Sequence, residues 1–74
     1  MRGTVKVWFE DRSYGFIAGD DGTDYFVHWR EIVSSERRKS LVEGERATFD
    51  PAKSDKGTGW KAVGVMADRE RDKK

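Results

Sequence analysis

Two stretches of the chain set aromatic rings at alternate positions. Tyr14-Gly15-Phe16-Ile17-Ala18 puts Tyr14 and Phe16 two residues apart, and Asp24-Tyr25-Phe26-Val27-His28 does the same for Phe26 and His28. Side chains two apart on a strand share a face, so each stretch offers a pair of rings on one side. The chemistry open to such a surface is stacking. Every nucleobase has a π-face, and each base stacked on a ring contributes ~1–3 kcal/mol with little sequence preference. Lys6, Arg12 and Lys56 are the cations that can meet the sugar-phosphate backbone. Bases in a duplex are already stacked on each other, so a single strand suits this surface best.

Other chemistries find few residues to work with. There is no Cys, so disulfide scaffolds and Cys-based zinc sites are excluded, and a single His excludes a multi-His metal site. No Ser-His-Asp spacing and no Gly-rich loop leading into a helix is present. Asp20, Asp21 and Asp24 fall in a turn cluster, where solvation and turn chemistry account for them. No enzyme activity, metal or cofactor is expected.

The rings must be held by strands. Thr4–Phe9, Tyr14–Ala18 and Asp24–His28 read as three strands joined by the polar turns 10–13 and 19–23, a meander. Trp29–Val33 suits one short helical turn. Ser34–Ser40 is a charged loop carrying Arg37, Arg38 and Lys39. Glu45–Phe49 reads as a fourth strand ended by Asp50-Pro51. Lys53–Gly59 is a second loop, and Trp60–Val65 a fifth strand. Asp68–Lys74 is a charged tail without apolar anchors, expected to be disordered, which leaves 1–67 as one domain.

Five short strands in 74 residues bury their apolar faces by curling into a small barrel. Alternation assigns Val5, Val7, Ile17, Tyr25 and Val27 to its inside. It assigns Tyr14, Phe16, Phe26 and His28 to the outside, beside Lys6 and Trp8. Any one aromatic in a strand is more often core than platform. The opposite parity, however, would bury Lys6, Asp24 and His28 together, at several kcal/mol each. An exposed patch of four or more rings marks a surface in use.

Composition agrees with a small folded domain under a charged skin. Charged residues are 39% of the chain, against a typical ~25%. Basic (15) and acidic (14) side chains nearly cancel to +1. The basic excess belongs to residues 34–74, and it is modest for a protein gripping duplex phosphates. No apolar run approaches the ~20 residues of a membrane helix, and residues 1–11 lack a signal-peptide core. The cytoplasm is the expected location, with no membrane partner.

At this point the residues resemble a known family. Arg12-Ser13-Tyr14-Gly15-Phe16-Ile17 is similar to the K-G-[FY]-G-F-I motif of bacterial cold-shock proteins and their Y-box relatives. Phe26-Val27-His28 resembles their V-F-V-H, and Lys6 with Trp8-Phe9 resembles K-W-F. Leu41-Val42-Glu43-Gly44-Glu45 resembles L-x-E-G-[QE], and Lys56-Gly57 resembles [KR]-G-P. The resemblance runs from Arg2-Gly3 to Val65. It implies an all-β, five-stranded antiparallel OB-fold barrel that binds single-stranded RNA or DNA. Position by position it implies Lys6, Trp8, Arg12, Tyr14, Phe16, Asp24, Phe26, His28, Trp29 and Lys56 as the binding set. The rings and His28 would stack bases, the cations would face phosphates or base edges, and Asp24 would accept from a base edge.

The chain also departs from that pattern. Counted back from Gly15, the family's W-F-N falls on Val7-Trp8-Phe9. Either the first strand holds a bulge and is followed by a shorter turn, or Trp8 replaces the family Phe and Phe9 the Asn. The family's Lys-Gly is Arg12-Ser13 here. The long loop lacks its aromatic and offers Arg37, Arg38 and Lys39 to phosphates instead. Trp60, in a longer last hairpin, either joins the binding set or plugs the barrel end.

The expected function is passive binding of unstacked strand by a monomer, about 4–8 nucleotides at a time. Pyrimidine runs would be tolerated and sequence preference weak. An RNA chaperone or a regulator of transcription or translation would work in this way. The alternative is a protein-interaction barrel that uses the same rings as a hot-spot patch.

Overall fold

A computed structural model of the chain describes residues 1–33, 40–54 and 59–68. Lys56, Arg37, Arg38, Lys39 and tail residues 69–74 lie outside the described residues. The elements are β1 (Arg2–Phe9), β2 (Tyr14–Gly19), β3 (Asp24–His28), a single 3-10 turn (Trp29–Glu31), β4 (Arg46–Lys53) and β5 (Trp60–Ala67). They close into a barrel in the order β1-β2-β3-β5-β4. All pairings are antiparallel except β3–β5, which is parallel through Tyr25↔Trp60 and Phe26↔Lys61. The all-β, five-stranded OB-type barrel expected from the sequence is the observed fold.

The core follows the alternation. Val5, Ile17, Tyr25, Val27, Phe49, Ala62 and Val65 are buried, and Ile32 and Leu41 cover the barrel's open stretches. Phe49 packs against Tyr25 with ring centroids 4.9 Å apart. The Tyr25 hydroxyl leaves this apolar setting by donating to Asp21 Oδ2 at 2.7 Å, the outlet that a buried phenol needs.

Two expectations about strand limits are corrected. β4 does not stop at Asp50-Pro51 but runs through both to Lys53. Pro51 is tolerated because β1 pairs with β4 only at residues 46–48. Phe49 still exchanges backbone bonds with Met1; past it β4 pairs with β5, so the other side of the strand needs no N–H from Pro51. β5 likewise continues past Val65 to Ala67, whose side chain is buried.

The larger correction concerns β1. Its pairing with β2 jumps from Val5↔Ile17 to Val7↔Phe16, which leaves Lys6 as the extra residue of a bulge. A bulge inverts the facing of everything after it. Trp8, expected outside beside Lys6, is therefore core at 9% exposure, and Phe9 is outside at 40%. Val7, expected inside, is half-buried opposite Phe16. Gly15, paired with Trp8, is the counterpart of this inversion. A Cβ at Gly15 would lie 2.2 Å from the Val7 carbonyl oxygen and 2.9 Å from both Trp8 Cα and Trp8 Cε3, so a glycine is what lets β1 and its indole approach β2 this closely.

The segment before β4 closes over the irregular strand. Gly44 donates to the Val5 carbonyl at 2.8 Å, Val5 donates to the Glu45 carbonyl at 2.8 Å, and the Trp8 N–H reaches Glu43 Oε2 at 3.3 Å. Gly44 sits at φ +92, a conformation glycine adopts without steric cost.

Candidate nucleic-acid interface

The outer faces of β1, β2 and β3 form one continuous surface, and strand register sets its rows. Phe9 pairs with Tyr14 and Tyr14 with His28; Val7 pairs with Phe16 and Phe16 with Phe26; Ala18 pairs with Asp24. Every ring of the first two rows leans on another. Centroids are 5.4 Å apart for Phe9 and Tyr14, 5.4 Å for Tyr14 and Phe26, and 5.7 Å for Phe16 and Phe26. These are tilted or edge-on contacts, the arrangement aromatic quadrupoles favour. Tyr14, Phe16 and Phe26 remain half-exposed in this arrangement, and Phe9 is exposed.

One end of the surface continues into the 3-10 turn. The His28 and Trp29 rings are 5.9 Å apart at an angle of 38°, and Trp29 is 41% exposed. His28 Nδ1 caps the turn by accepting from the Arg30 backbone N–H at 3.3 Å. The neutral ring therefore carries its proton on Nε2. The Arg30 guanidinium carbon lies 5.8 Å from the centre of the Trp29 ring, within cation–π range. This end is fixed to the β1–β2 turn, where Trp29 N–H donates to the Ser13 carbonyl at 3.0 Å and Ser13 N–H to the Phe9 carbonyl at 2.8 Å. Ser13 achieves this with φ 58, unusual for a residue other than glycine.

The other end is different. Lys6, pushed out by the bulge, places Nζ 2.9 Å from Asp24 Oδ2, and both side chains are more than half exposed. Just beyond, Arg46 clamps Asp20 with two bonds of 2.9 and 2.7 Å. These bonds hold the Asp20 carboxyl below the usual carboxylate range and raise Arg46. The Tyr25 hydroxyl lowers Asp21 in the same way, and the hydroxyl's own pKa is raised by that bond.

The structure thus gathers Lys6, Tyr14, Phe16, Asp24, Phe26, His28 and Trp29 on one surface, with Arg12 exposed in the adjoining turn. Trp8 does not join them. Trp60 stands apart as well: it follows the inward parity of Ala62, sits 43% exposed at the barrel end, and meets Tyr25 edge-on at 6.5 Å. Phe9 takes the outward place in β1. The signal for it was the one-residue offset of the first motif, which a bulge explains.

The family model of the 'Cold-shock' DNA-binding domain matches residues 1–67. The chain belongs to the cold-shock domain family. Among the cold-shock proteins it is similar to Cold shock protein 1 of Lactiplantibacillus plantarum, with 49% identity over 74% of this chain and 82% of the relative. A cold shock-like protein of Aquifex aeolicus is 40% identical over 92% of the chain and 97% of its own length. One of Thermotoga maritima is 47% identical over 77% and 85%. Cold-shock domains are nucleic-acid-binding modules, and the resemblance read in the sequence motifs is that of a family member. No described helix is long and apolar enough to cross a membrane.

Proposed function

We propose that the chain binds single-stranded RNA or DNA by stacking successive bases on the outer face of β1–β3, as a monomer. The observation that carries this reading is the linked run of rings Phe9, Tyr14, Phe26 and Phe16, adjacent centroids 5.4–5.7 Å apart, on the solvent side of strands whose inner side is core. A soluble domain that keeps four rings out of so small a core has a ligand for them. Phe9, Tyr14, Phe16, Phe26, His28 and Trp29 stack bases; Arg12, and Lys56 from its loop, meet phosphates; Lys6 and Asp24 serve the far end. Trp8 supports the platform from beneath.

The action is passive. Stacking about 4–8 nucleotides per domain holds weak secondary structure open without a chemical step, the work of an RNA chaperone or of a regulator of transcription or translation. Bound strand also stabilises the fold by mass action. Titration of oligo-dT and oligo-U while following Trp fluorescence tests this reading. Quenching that weakens as salt rises is expected, since Trp29 is exposed on the platform. No response to either oligomer at low salt would overturn it and leave the face to a protein partner.

A further inference from the structure

Charge is not spread evenly around the rings. Among the described residues, Lys6 is paired with Asp24, Arg46 with Asp20 and Arg2 with Asp68. Arg12 and Arg30 are exposed and have no carboxylate partner among the described residues. Both lie at the same end, because the Trp29–Ser13 backbone bond ties the 3-10 turn to the β1–β2 turn. Arg30 is placed there by the same turn that presents Trp29. Its backbone N–H orients His28, and its guanidinium lies over the indole.

Resting on the proposed single-strand binding, we infer that Arg30 is a further nucleic-acid-binding residue, anchoring the phosphate next to the base stacked on His28 and Trp29. A guanidinium on an indole face is weakly hydrated and already oriented, so little freedom is lost when it meets a phosphate. Lys6 is a strongly hydrated ammonium on a flexible stem, and Asp24 Oδ2, 2.9 Å away, offsets its charge. Glu10, Asp11 and Glu31 share these turns with the two arginines, so the anchor is the oriented Arg30 guanidinium itself and not a net positive end, and the Lys6–Asp24 pair suits base edges.

Fluorescence anisotropy with end-labelled oligo-dT, run from 50 to 500 mM salt, tests Arg30→Gln, Arg30→Lys and Lys6→Gln against the unaltered chain. Arg30→Gln keeps the backbone cap on His28. It should weaken binding about three- to ten-fold at low salt and flatten the plot of log K against log salt by about 0.7, the share of one phosphate on a single strand. Arg30→Lys should restore the slope but only part of the affinity. Lys6→Gln should change the slope by less than Arg30→Gln. Thermal unfolding of Arg30→Gln should match the unaltered chain. If the unaltered chain binds and Arg30→Gln keeps both its affinity and its slope, the role of Arg30 is overturned while single-strand binding stands. If the unaltered chain does not bind, the functional reading itself falls.

Discussion

The two sides of the β1–β2–β3 meander are built from the same strands, and neighbouring residues take opposite assignments. Inside, Ile17, Tyr25 and Val27 are buried against Phe49 and Val65. Outside, Tyr14, Phe16, Phe26 and His28 stay half-open to solvent. The inner side ties up the Tyr25 hydroxyl with Asp21. The outer side supports its rings by tilted and edge-on contacts with one another. Stability and recognition are thus separated by the two-residue period of a strand, so one-residue changes test the separation directly.

The sharpest test sets Trp8 against Phe26. Trp8→Ala empties a large volume beneath Gly15 and should cost about 3–5 kcal/mol of stability, enough to unfold much of so small a domain. Phe26→Ala should cost much less in urea denaturation while weakening oligonucleotide binding by about 1–3 kcal/mol. Equal losses of stability and affinity in Phe26→Ala would break the assignment of sides.

How far this division could be read in advance depended on the strand. In β2 and β3 unbroken alternation was enough, and every side chain faces as the sequence indicated. In β1 alternation failed because one inserted residue, Lys6, reset the phase. Only the offset between Trp8 and Gly15 hinted at that, and the sequence admitted two explanations of it. The passage of β4 through Pro51 was hidden for a related reason. Whether a proline ends a strand depends on which side of it has a partner, which is a property of the sheet order. Arg30 carried no signal, since its significance lies in what it touches.

Trp60→Ala sharpens the comparison at the barrel end. With the indole edge-on to Tyr25 at 6.5 Å, the substitution should lower stability by about 1 kcal/mol and leave oligonucleotide affinity unchanged in the anisotropy titration. A loss of affinity would bring the barrel end into the interface.

The gentlest test is pH. Asp20 and Asp21 are lowered in the folded protein, by the bonds from Arg46 and the Tyr25 hydroxyl respectively. Their contribution is present above the ordinary carboxylate range near 3.8 and is lost as pH falls through their lowered values. Tyr25 is raised above 10.0, so its contribution is present below that value and is lost as pH rises through the raised one. Urea midpoints across pH should be flat between these limits and fall on both sides. Asp21→Asn should lessen both falls, and an unchanged alkaline limb would separate Tyr25 from Asp21.

The parallel join between β3 and β5 has a consequence for motion. It consists of two residue pairs followed, after a gap, by the bridge between Ile32 and Val65, where Val33 N–H meets the Val65 carbonyl at 2.6 Å. Everywhere else the wall is laced by longer antiparallel ladders. The gap spans the stretch that carries His28 and Trp29, which makes this join the one expected to open first. Amide exchange at this join should then report local opening well below the cost of global unfolding, and a strand lying across His28 and Trp29 would slow it as a suture does.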